Sequence, residues 1–354
     1  MSELKKKPSK LDTVKAMSPK DRTRAIVDTL MNNAMFIIIA IAVVGIAIAR
    51  PRFLSPASII NIINLTAAKL PIALGVGGCI ILAGTDISAG RQVGLAACIA
   101  AGLQLTANKL FPSLLEPLPI WVALIAVLVV GAIIGFVNGF CMAKFKLHPF
   151  IVTLSTQLIV YGLVLMFMQL GTNSGQTLSG MSEAYREFVV GKLFVVDGTV
   201  VPNYVLYSLI IAVIVWVIWN KTTFGKNMYA VGSNEDAANV SGVNVTKTII
   251  LVFMMAGMLY ALTGFFDAAR IASVNATTGL NYEADAIAAC VIGGISFVGG
   301  IGKVSGAIIG VLLLQLIFVG LNFLSVDANL LYIVKGLIIL VACAIDMRKY
   351  LVRK

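Results

Sequence analysis

The sequence has few charged residues. Charged side chains make up 12% of the 354 residues and hydrophobic ones 59%, against roughly 25% and 45–50% in typical soluble domains. A soluble protein of this length needs a polar surface, which so few charges do not provide. Disorder is excluded because a disordered chain lacks the hydrophobic residues that are abundant here. The composition therefore predicts an integral membrane protein.

Aromatic residues, cysteine and histidine are also scarce. Aromatics amount to 8% beside 32 glycines, which favours closely packed membrane helices over an alternating β-barrel. The five cysteines lie in apolar runs without metal-ligand spacing, so we expect buried inert thiols and no bound metal. The single histidine, His148, has no ligand or triad partner in sequence, and Gly302-Lys303 is only a fragment of a phosphate loop. The residues for enzyme chemistry are therefore missing.

Apolar runs long enough to cross a membrane recur along the chain. A helix of about 20 apolar residues spans the hydrocarbon core. The runs predict about ten spans, at Leu30–Ala49, Leu70–Ala83, Gly90–Thr106, Ile120–Met142, Phe150–Leu170, Tyr204–Trp219, Thr248–Phe266, Ala284–Phe297, Val304–Leu324 and Leu331–Ile345. The second and eighth are short, and we expect broken or tilted helices there. Pro56–Lys69 fits three alternatives: an extra half-helix, an interfacial helix, or the front of a long second span kinked at Pro71.

The positive charges indicate the topology. The net charge is +11, and Lys and Arg accumulate in cytoplasmic loops. With the N terminus inside, only a minority of the 27 cations fall on the outer side, namely Arg50, Arg52, Lys69, Lys109, Arg186, Lys192, Arg270 and Lys335. We therefore expect an all-α polytopic membrane protein with both termini cytoplasmic. Its parts are a basic N-terminal segment with an interfacial helix (1–29), one transmembrane domain (30–346) and a basic tail (347–354).

Two glycine-rich segments resemble each other. GGCIILAGTDISAGRQVG (77–94) and GGISFVGGIGKVSG (293–306) each contain an apolar run, a Gly-rich break, a cation, and a Gly that opens the next helix. Broken helices in corresponding positions of two halves are typical of a transport path. Whether the two segments record an ancestral duplication stays open.

Polar residues at membrane depth are few, and such groups usually face a bundle interior or a wet path. They are Asn64, Thr85, Asp86, Ser88, Arg91, Gln92, Asn138, Gln157, Asn275, Asp285, Gln315 and Asn322. Asp86 and Arg91 are explained equally well by a structural pair at a helix end. The lack of a chain of buried charges argues against a proton- or sodium-coupled carrier.

Glycines repeat every four residues on two apolar helices. The two ladders are Gly131, Gly135, Gly139 and Gly302, Gly306, Gly310. Each forms a smooth strip that lets a neighbouring backbone come close. Such a strip serves either a subunit or pore interface or ordinary packing within the chain, and base rates favour the second.

A long polar loop, residues 220–246, separates two predicted spans on the cytoplasmic side. Ser233 to Asp236 predict a helix cap with acids in the first turn, and Gly242 a left-handed helix end. Ala237, Ala238 and Val240 supply a small apolar face. Because an isolated helix of about two turns is marginal in water, we expect it to dock into a groove on a cytoplasmic partner. The alternative is a surface loop packed on its own chain.

Four segments together resemble the sugar-importing ATP-binding-cassette permeases of the ribose/xylose/galactose group. They are Phe224–Asn227 with Gly232–Val243, Gly84–Ala97, His148–Thr156 and Asp285–Gly300, and the similarity runs from about residue 30 to the end. Arg91–Gly94, Trp219–Thr222 and Tyr282–Ile287 are typical of the galactose branch. The basic N terminus and Gly171–Val201, on the side where a substrate receptor would dock, match less well.

The resemblance implies a transporter subunit rather than an enzyme. Two copies would form one translocation path in the bacterial inner membrane, on two copies of a separate ATPase, and receive sugar from a periplasmic or lipid-anchored binding protein. This chain would bind no cofactor itself, since ATP and Mg²⁺ belong to the ATPase, and no nucleic acid partner is expected.

The same resemblance implies functional positions. Coupling to the ATPase falls to Asn234, Glu235, Asp236, Ala237, Ala238, Ser241, Gly242 and Val243. With the polar residue Asn138, the regions 84–94 and 285–302 give a path of Thr85, Asp86, Ser88, Arg91, Asn138, Asp285 and Ser296. The alternatives are an ion-coupled secondary sugar transporter, or a permease of the same class for another small polar solute such as ribose or a nucleoside.

Overall fold

The computed structural model describes residues 34–107, 110–114 and 116–351. The predicted N-terminal segment 1–29 with its interfacial helix lies outside these residues, as does the start of the first predicted span. The basic tail is described only as far as Leu351, where it continues the last helix.

The described part is built almost entirely of helices. In chain order they are α1 (Ala34–Ala49), α2 (Pro56–Ile81), α3 (Ala89–Gln104), α4 (Ile120–Phe145), α5 (Pro149–Met168), α6 (Glu183–Val190), α7 (Asn203–Lys221), α8 (Thr223–Ser233), α9 (Glu235–Val240), α10 (Val245–Ile271), α11 (Tyr282–Ile292), α12 (Val304–Phe323) and α13 (Ala328–Leu351). A short 3₁₀ helix covers Pro51–Leu54, and four short strands are β1 (Leu178–Ser179), β2 (Lys192–Val196), β3 (Thr199–Pro202) and β4 (Ser273–Val274).

Several of these helices have the length and composition of membrane spans. Within the described ranges, six are long and apolar enough to cross a membrane: α2, α4, α5, α7, α10 and α12. Shorter apolar helical stretches lie at Ile39–Ala49 and Asn329–Val341. The predicted class, an all-α polytopic membrane protein, is confirmed. The count of ten spans and the side of each terminus stay predictions.

Helix α2 resolves the ambiguous segment Pro56–Lys69. The helix begins at Pro56, where the Ser55 hydroxyl accepts a hydrogen bond from the Ser58 amide and proline occupies the first turn. It then runs for 26 residues past Pro71, which lies inside it. Of the three alternatives, the front of one long second span is therefore confirmed, and the bounds Leu70–Ala83 cover only the second half of that helix.

Helix α11 is a half-helix, as expected for the eighth span. It has 11 residues and ends at Gly293, after which Gly294 takes a positive φ of 82°. The chain then runs through residues 293–303 without regular structure before α12 begins. Residues 82–88 form the matching break between α2 and α3.

The segment that matches the permeases less well contains strands that the sequence did not predict. Strands β2 and β3 form an antiparallel hairpin, and β1 pairs with the distant β4. The hairpin turns at Asp197-Gly198, both with positive φ, as tight hairpin turns require. Phe194 and its neighbours in β2 are exposed.

Close helix contacts at glycine place α10 at the centre of the fold, packed against α2, α3 and α4. A Cβ added at Gly131 would overlap the Gly257 carbonyl, and one at Gly135 the Phe253 carbonyl. Gly139 meets Ile250 in the same way, while Gly306 and Gly310 of α12 meet Gly293 and Ala289. Gly302 packs on Ile81. Both glycine ladders therefore contact other parts of this chain.

Candidate functional site

Two short helices occupy the polar loop 220–246. The Thr222 hydroxyl caps α8 by accepting a 3.2 Å bond from the Gly225 amide, and Asn234 Oδ1 caps α9 by accepting a 2.8 Å bond from the Ala237 amide. Glu235 and Asp236 lie in the first turn of α9, where the helix dipole stabilises negative charge. Ser241 ends the helix and Gly242 follows with φ +85°. The predicted start and end of this helix are confirmed.

The apolar residues of α9 point to opposite sides. Ala238 is 4% exposed and packs with Val231 and Val245 of the same chain, whereas Val240 is 89% exposed. Val243 is partly buried against the same cluster as Ala238. The expectation of one apolar face was wrong, because residues two apart on a helix do not share a face. Ala238 holds α9 to the chain, and Val240 is left free to contact a partner.

An open groove runs beside α9. Its volume is about 470 Å³, and its walls are Lys146, the first turn of α9, Asn239 and residues 242–246. Lys146, just after α4, forms an ion pair with Glu235, and both side chains are well exposed. The groove is polar and carries charges of both signs, so it suits a charged protein surface better than an apolar ligand.

The end of α8 lies between the two broken segments. The Tyr229 hydroxyl donates a 3.0 Å hydrogen bond to the Gly302 carbonyl. Gly232 packs so closely on the carbonyl of Ile81, the last residue of α2, that no Cβ would fit, and the Gly300 amide donates a 2.8 Å bond to that carbonyl. One short helix of the loop thus contacts residues that flank both breaks.

A buried polar network joins the first break to α3, α4 and α5. Asp86 Oδ1 accepts bonds of 2.9 and 2.5 Å from the Ser88 amide and hydroxyl. Ser88 Oγ in turn accepts from Gln92 at 2.9 Å and from Asn138 at 3.2 Å, and Asn138 Oδ1 accepts a 2.6 Å bond from Thr156. Thr85 contributes its carbonyl, which accepts from Thr153. Asp86, Ser88 and Asn138, chosen from sequence, are thus brought together, and Gln92, Thr153 and Thr156 complete the group.

Arg91 does not pair with Asp86. Its Nη1 donates a 3.2 Å bond to the Ala276 carbonyl, and its guanidinium lies 4.1 Å from the centre of the Tyr161 ring. The alternative of an Asp86–Arg91 pair was therefore wrong. Asp86 Oδ1 is bonded to Ser88 before the start of α3, whereas Arg91 points toward α5 and the loop that precedes α11.

The other two path residues lie apart from this network. Asp285 of α11 forms a 2.9 Å ion pair with Lys335 of α13, and the Ser296 hydroxyl donates a 2.8 Å bond to Asp346. The seven residues assigned to the path from sequence therefore lie in several separate environments.

The sequence analysis missed a cluster of buried charges. Asp267 of α10 is fully buried and pairs with Arg270 at 2.8 Å, while Lys69 Nζ of α2 lies 3.8 Å from its other oxygen. Lys69, Arg270 and Lys335 were assigned to the outer side, yet all three lie within helices. The argument that the chain lacks buried charges was wrong. The i, i+3 spacing of Asp267 and Arg270 could have indicated a helical pair.

The described residues contain no group of three or more His, Cys, Asp or Glu side chains placed to hold a metal. His148 caps α5, its Nδ1 accepting a bond from the Phe150 amide. Cys79, Cys98 and Cys290 are buried free thiols, and Cys141 and Cys343 are half-buried. None of these side chains supplies an obvious catalytic centre.

The apolar spans, the paired breaks and the short loop helices that contact both breaks are the features of a membrane transport subunit. Residues 58–343 match the family described as branched-chain amino acid transport system / permease component. The chain belongs to this family of permeases.

Its curated relatives include sugar import permeases. The galactose/methyl galactoside import permease of Haemophilus influenzae is 43% identical over 331 residues, covering 92% of this chain and 97% of the relative. That of Escherichia coli is 41% identical over 329 residues, covering 92% and 96%. The ribose import permease of Bacillus subtilis is 35% identical over 314 residues, covering 89% and 92%. No solved structure matches the chain. The protein is thus a multi-pass membrane permease of an ATP-binding-cassette importer.

Proposed function

We propose that this chain carries galactose or methyl galactoside across the bacterial inner membrane in an ATP-driven importer. The galactose/methyl galactoside permeases share 41–43% of their residues with it over 92% of its length. The ribose permeases share 33–35% over a similar length. Galactose is therefore favoured over ribose as the cargo.

The working assembly contains other chains. Two copies of this permease form the path, a separate ATPase binds ATP and Mg²⁺, and a periplasmic or lipid-anchored binding protein delivers the sugar. This chain itself binds no cofactor. Within it, Val240 and the acids of α9 form the surface that meets the ATPase, because Val240 is exposed and the two acids line an open polar groove.

The contact of α8 with both broken segments is the observation that carries this mechanism. A short helix on the cytoplasmic surface is bonded to Gly302 and packed on Ile81. Movement of α9 by a closing ATPase would therefore displace the ends of both breaks together. A switch of this kind needs a contact that differs between its two states, and binding of the ATPase to α9 supplies one.

The buried charge cluster favours a second candidate, an ion-coupled secondary carrier. Ionisable residues inside membrane segments often mark proton or ion pathways, and Asp267 is fully buried among membrane helices. The α8–α9 segment argues against this candidate, because a secondary carrier has no need of a surface for a cytoplasmic motor.

Uptake of labelled galactose in cells tests the proposal. Cells with and without this chain are compared over the first seconds of uptake, with a protonophore present and labelled ribose as the control sugar. We expect uptake of galactose that depends on the chain and resists the protonophore. Uptake of ribose alone would overturn the assigned sugar, and uptake that collapses at once with the proton gradient would overturn the ATP-driven mechanism.

A further inference from the structure

The cluster of charges between α2, α10, α11 and α13 forms a built polar site inside the bundle. Asp267 is fully buried, and its Oδ1 accepts a 2.8 Å bond from Arg270 Nε. Lys335 and Asp285 pair at 2.9 Å with three-quarters or more of each side chain covered. These groups are carried by helices that pack together, and a charge inside a membrane bundle is costly unless it is paired or faces a wet path.

Two polar atoms in this cluster face each other without a hydrogen bond. Lys69 Nζ and Asp267 Oδ2 are both buried and have no hydrogen-bond partner. They lie 3.8 Å apart, which is an ion pair but too long for a hydrogen bond. The Lys69 ammonium also lies over the face of the Tyr282 ring. An ammonium and a carboxylate in this arrangement can both be satisfied by one hydroxyl group, which accepts from the first and donates to the second.

A small cavity borders the same groups. It has a volume of about 10 Å³ and is lined by Lys69, Tyr282, Asp285 and the buried amide of Gln315, with apolar walls from α2, α11 and α12. This is close to the space that one water molecule needs. In this conformation the site is therefore closed, and the helices around it must separate before a larger molecule enters.

Stability alone does not explain these charges. A buried ion pair is often no more stable than apolar residues of similar volume, because desolvation offsets the attraction. Here three cations, Lys69, Arg270 and Lys335, face two carboxylates, Asp267 and Asp285, so the described cluster is not balanced in charge. An arrangement that costs free energy inside a transport protein indicates a ligand.

We propose that Lys69, Asp267, Tyr282, Asp285 and Gln315 form a sugar-binding subsite of the translocation path, closed in this conformation by its own ion pairs. This inference rests on the proposed function and specifies where the permease itself contacts the cargo. Its ligand is an uncharged monosaccharide, whose adjacent hydroxyl groups replace the direct contact between Lys69 and Asp267. The Tyr282 ring provides a face for the apolar side of the sugar ring, and Gln315 adds a donor and an acceptor.

Protection of an introduced cysteine tests the subsite. The Lys69→Cys permease, assembled with its ATPase and binding protein in vesicles, is treated with a cationic methanethiosulfonate reagent during turnover. The galactose concentration is set about tenfold above the dissociation constant of galactose at the subsite, so that about nine-tenths of the sites are occupied. Because an occupied site shields the thiol, we expect the rate of modification of Lys69→Cys to fall about tenfold. The same concentration of sorbitol should leave the rate unchanged. The wild-type chain, with its five native cysteines, gives the background rate.

Two further variants keep the test decisive. Lys221→Cys places a thiol at the exposed end of α7, outside the segment where the receptor would dock, and its modification rate should not respond to galactose. Gln315→Cys reports from the cavity wall while leaving every ion pair of the cluster intact, and it replaces Lys69→Cys if that variant does not assemble. Protection of Lys221→Cys, or of neither cavity position, would overturn the subsite while galactose uptake by the wild-type vesicles continues. Failure of wild-type uptake itself would overturn the proposed function as well.

Discussion

The hydroxyl of Tyr229 donates a 3.0 Å hydrogen bond to the carbonyl of Gly302. This bond joins a helix of the cytoplasmic loop to the segment between α11 and α12. Burial raises the pKa of the Tyr229 phenol above its ordinary value, so the hydroxyl stays protonated and remains a donor at neutral pH. The bond thus links the loop helix next to the proposed ATPase-binding surface to a broken membrane segment.

Loss of this bond should uncouple ATP hydrolysis from transport. Tyr229→Phe removes one hydrogen bond, worth about 0.5–1.5 kcal/mol, and keeps the ring. We expect near-normal ATP hydrolysis by the assembled transporter but less sugar moved per ATP. The matched control is Tyr207→Phe, which removes a 3.0 Å bond to the Phe188 carbonyl, far from α8 in the chain. An equal loss of coupling in both variants would contradict the role of Tyr229.

The two apolar residues of α9 should respond differently to the same substitution. Val240→Asp adds a charge at a side chain that is 89% exposed, so the fold should stay intact while the ATPase no longer co-purifies with the permease. Ala238→Asp buries a carboxyl group among Val231 and Val245, which costs about 1–3 kcal/mol or more. The thermal unfolding temperature of the permease should therefore fall for Ala238→Asp and stay unchanged for Val240→Asp. Normal co-purification of the ATPase with Val240→Asp would remove this surface from the docking site.

Close helix packing at Gly306 should not tolerate a side chain. A Cβ there would overlap the backbone carbonyl of Gly293, and overpacking of this kind costs about 1–3 kcal/mol, occasionally more. Gly306→Leu should lower the unfolding temperature of the permease in detergent. Gly162→Leu is the control, because nothing lies within 4 Å of a Cβ at that helical position and leucine favours a helix more than glycine does. Equal stability of the two variants would contradict the packing argument.

The buried network around Asn138 should be costly to interrupt. Asn138→Leu leaves the Thr156 hydroxyl without its 2.6 Å acceptor and removes a donor to Ser88. Unsatisfied buried polar groups cost about 1–3 kcal/mol each, so the unfolding temperature should fall. The double variant with Thr156→Val should recover part of the loss, since the two residues are coupled. Asn220→Leu, at an exposed amide, is the control, and a similar effect from it would argue against a special role for the network.

Local features were predictable because they depend on neighbouring residues. The cap of α9 at Asn234 and its end at Gly242 follow from the hydrogen-bonding capacity of a short side chain and the conformational freedom of glycine. The half-helix α11 ends at Gly293-Gly294 for the same reason. Ser88 lies two residues from Asp86, and their contact is likewise local.

Long-range contacts were not predictable from spacing. Lys69 and Asp267 are 198 positions apart by their numbers, and only the packing of α2 against α10 brings them together. Counting cations by predicted side assigned Lys69 to the outer side, because that method assumes that charge lies outside the membrane. The β1–β4 pairing joins Leu178 to Val274, and two-residue strands leave no period to detect.

The sequence by itself determined the class of the protein, since apolar composition excludes a water-soluble fold and leaves spanning helices as the stable form in lipid. It also determined the boundaries of α9 and the two breaks, which depend on capping residues and glycine. Only the tertiary structure decided which side of α9 is free, which residues α8 contacts, and that Lys69 pairs with Asp267 and lines one cavity with Asp285. These depend on how helices distant in sequence pack, because partners for a buried charge are chosen by proximity in space.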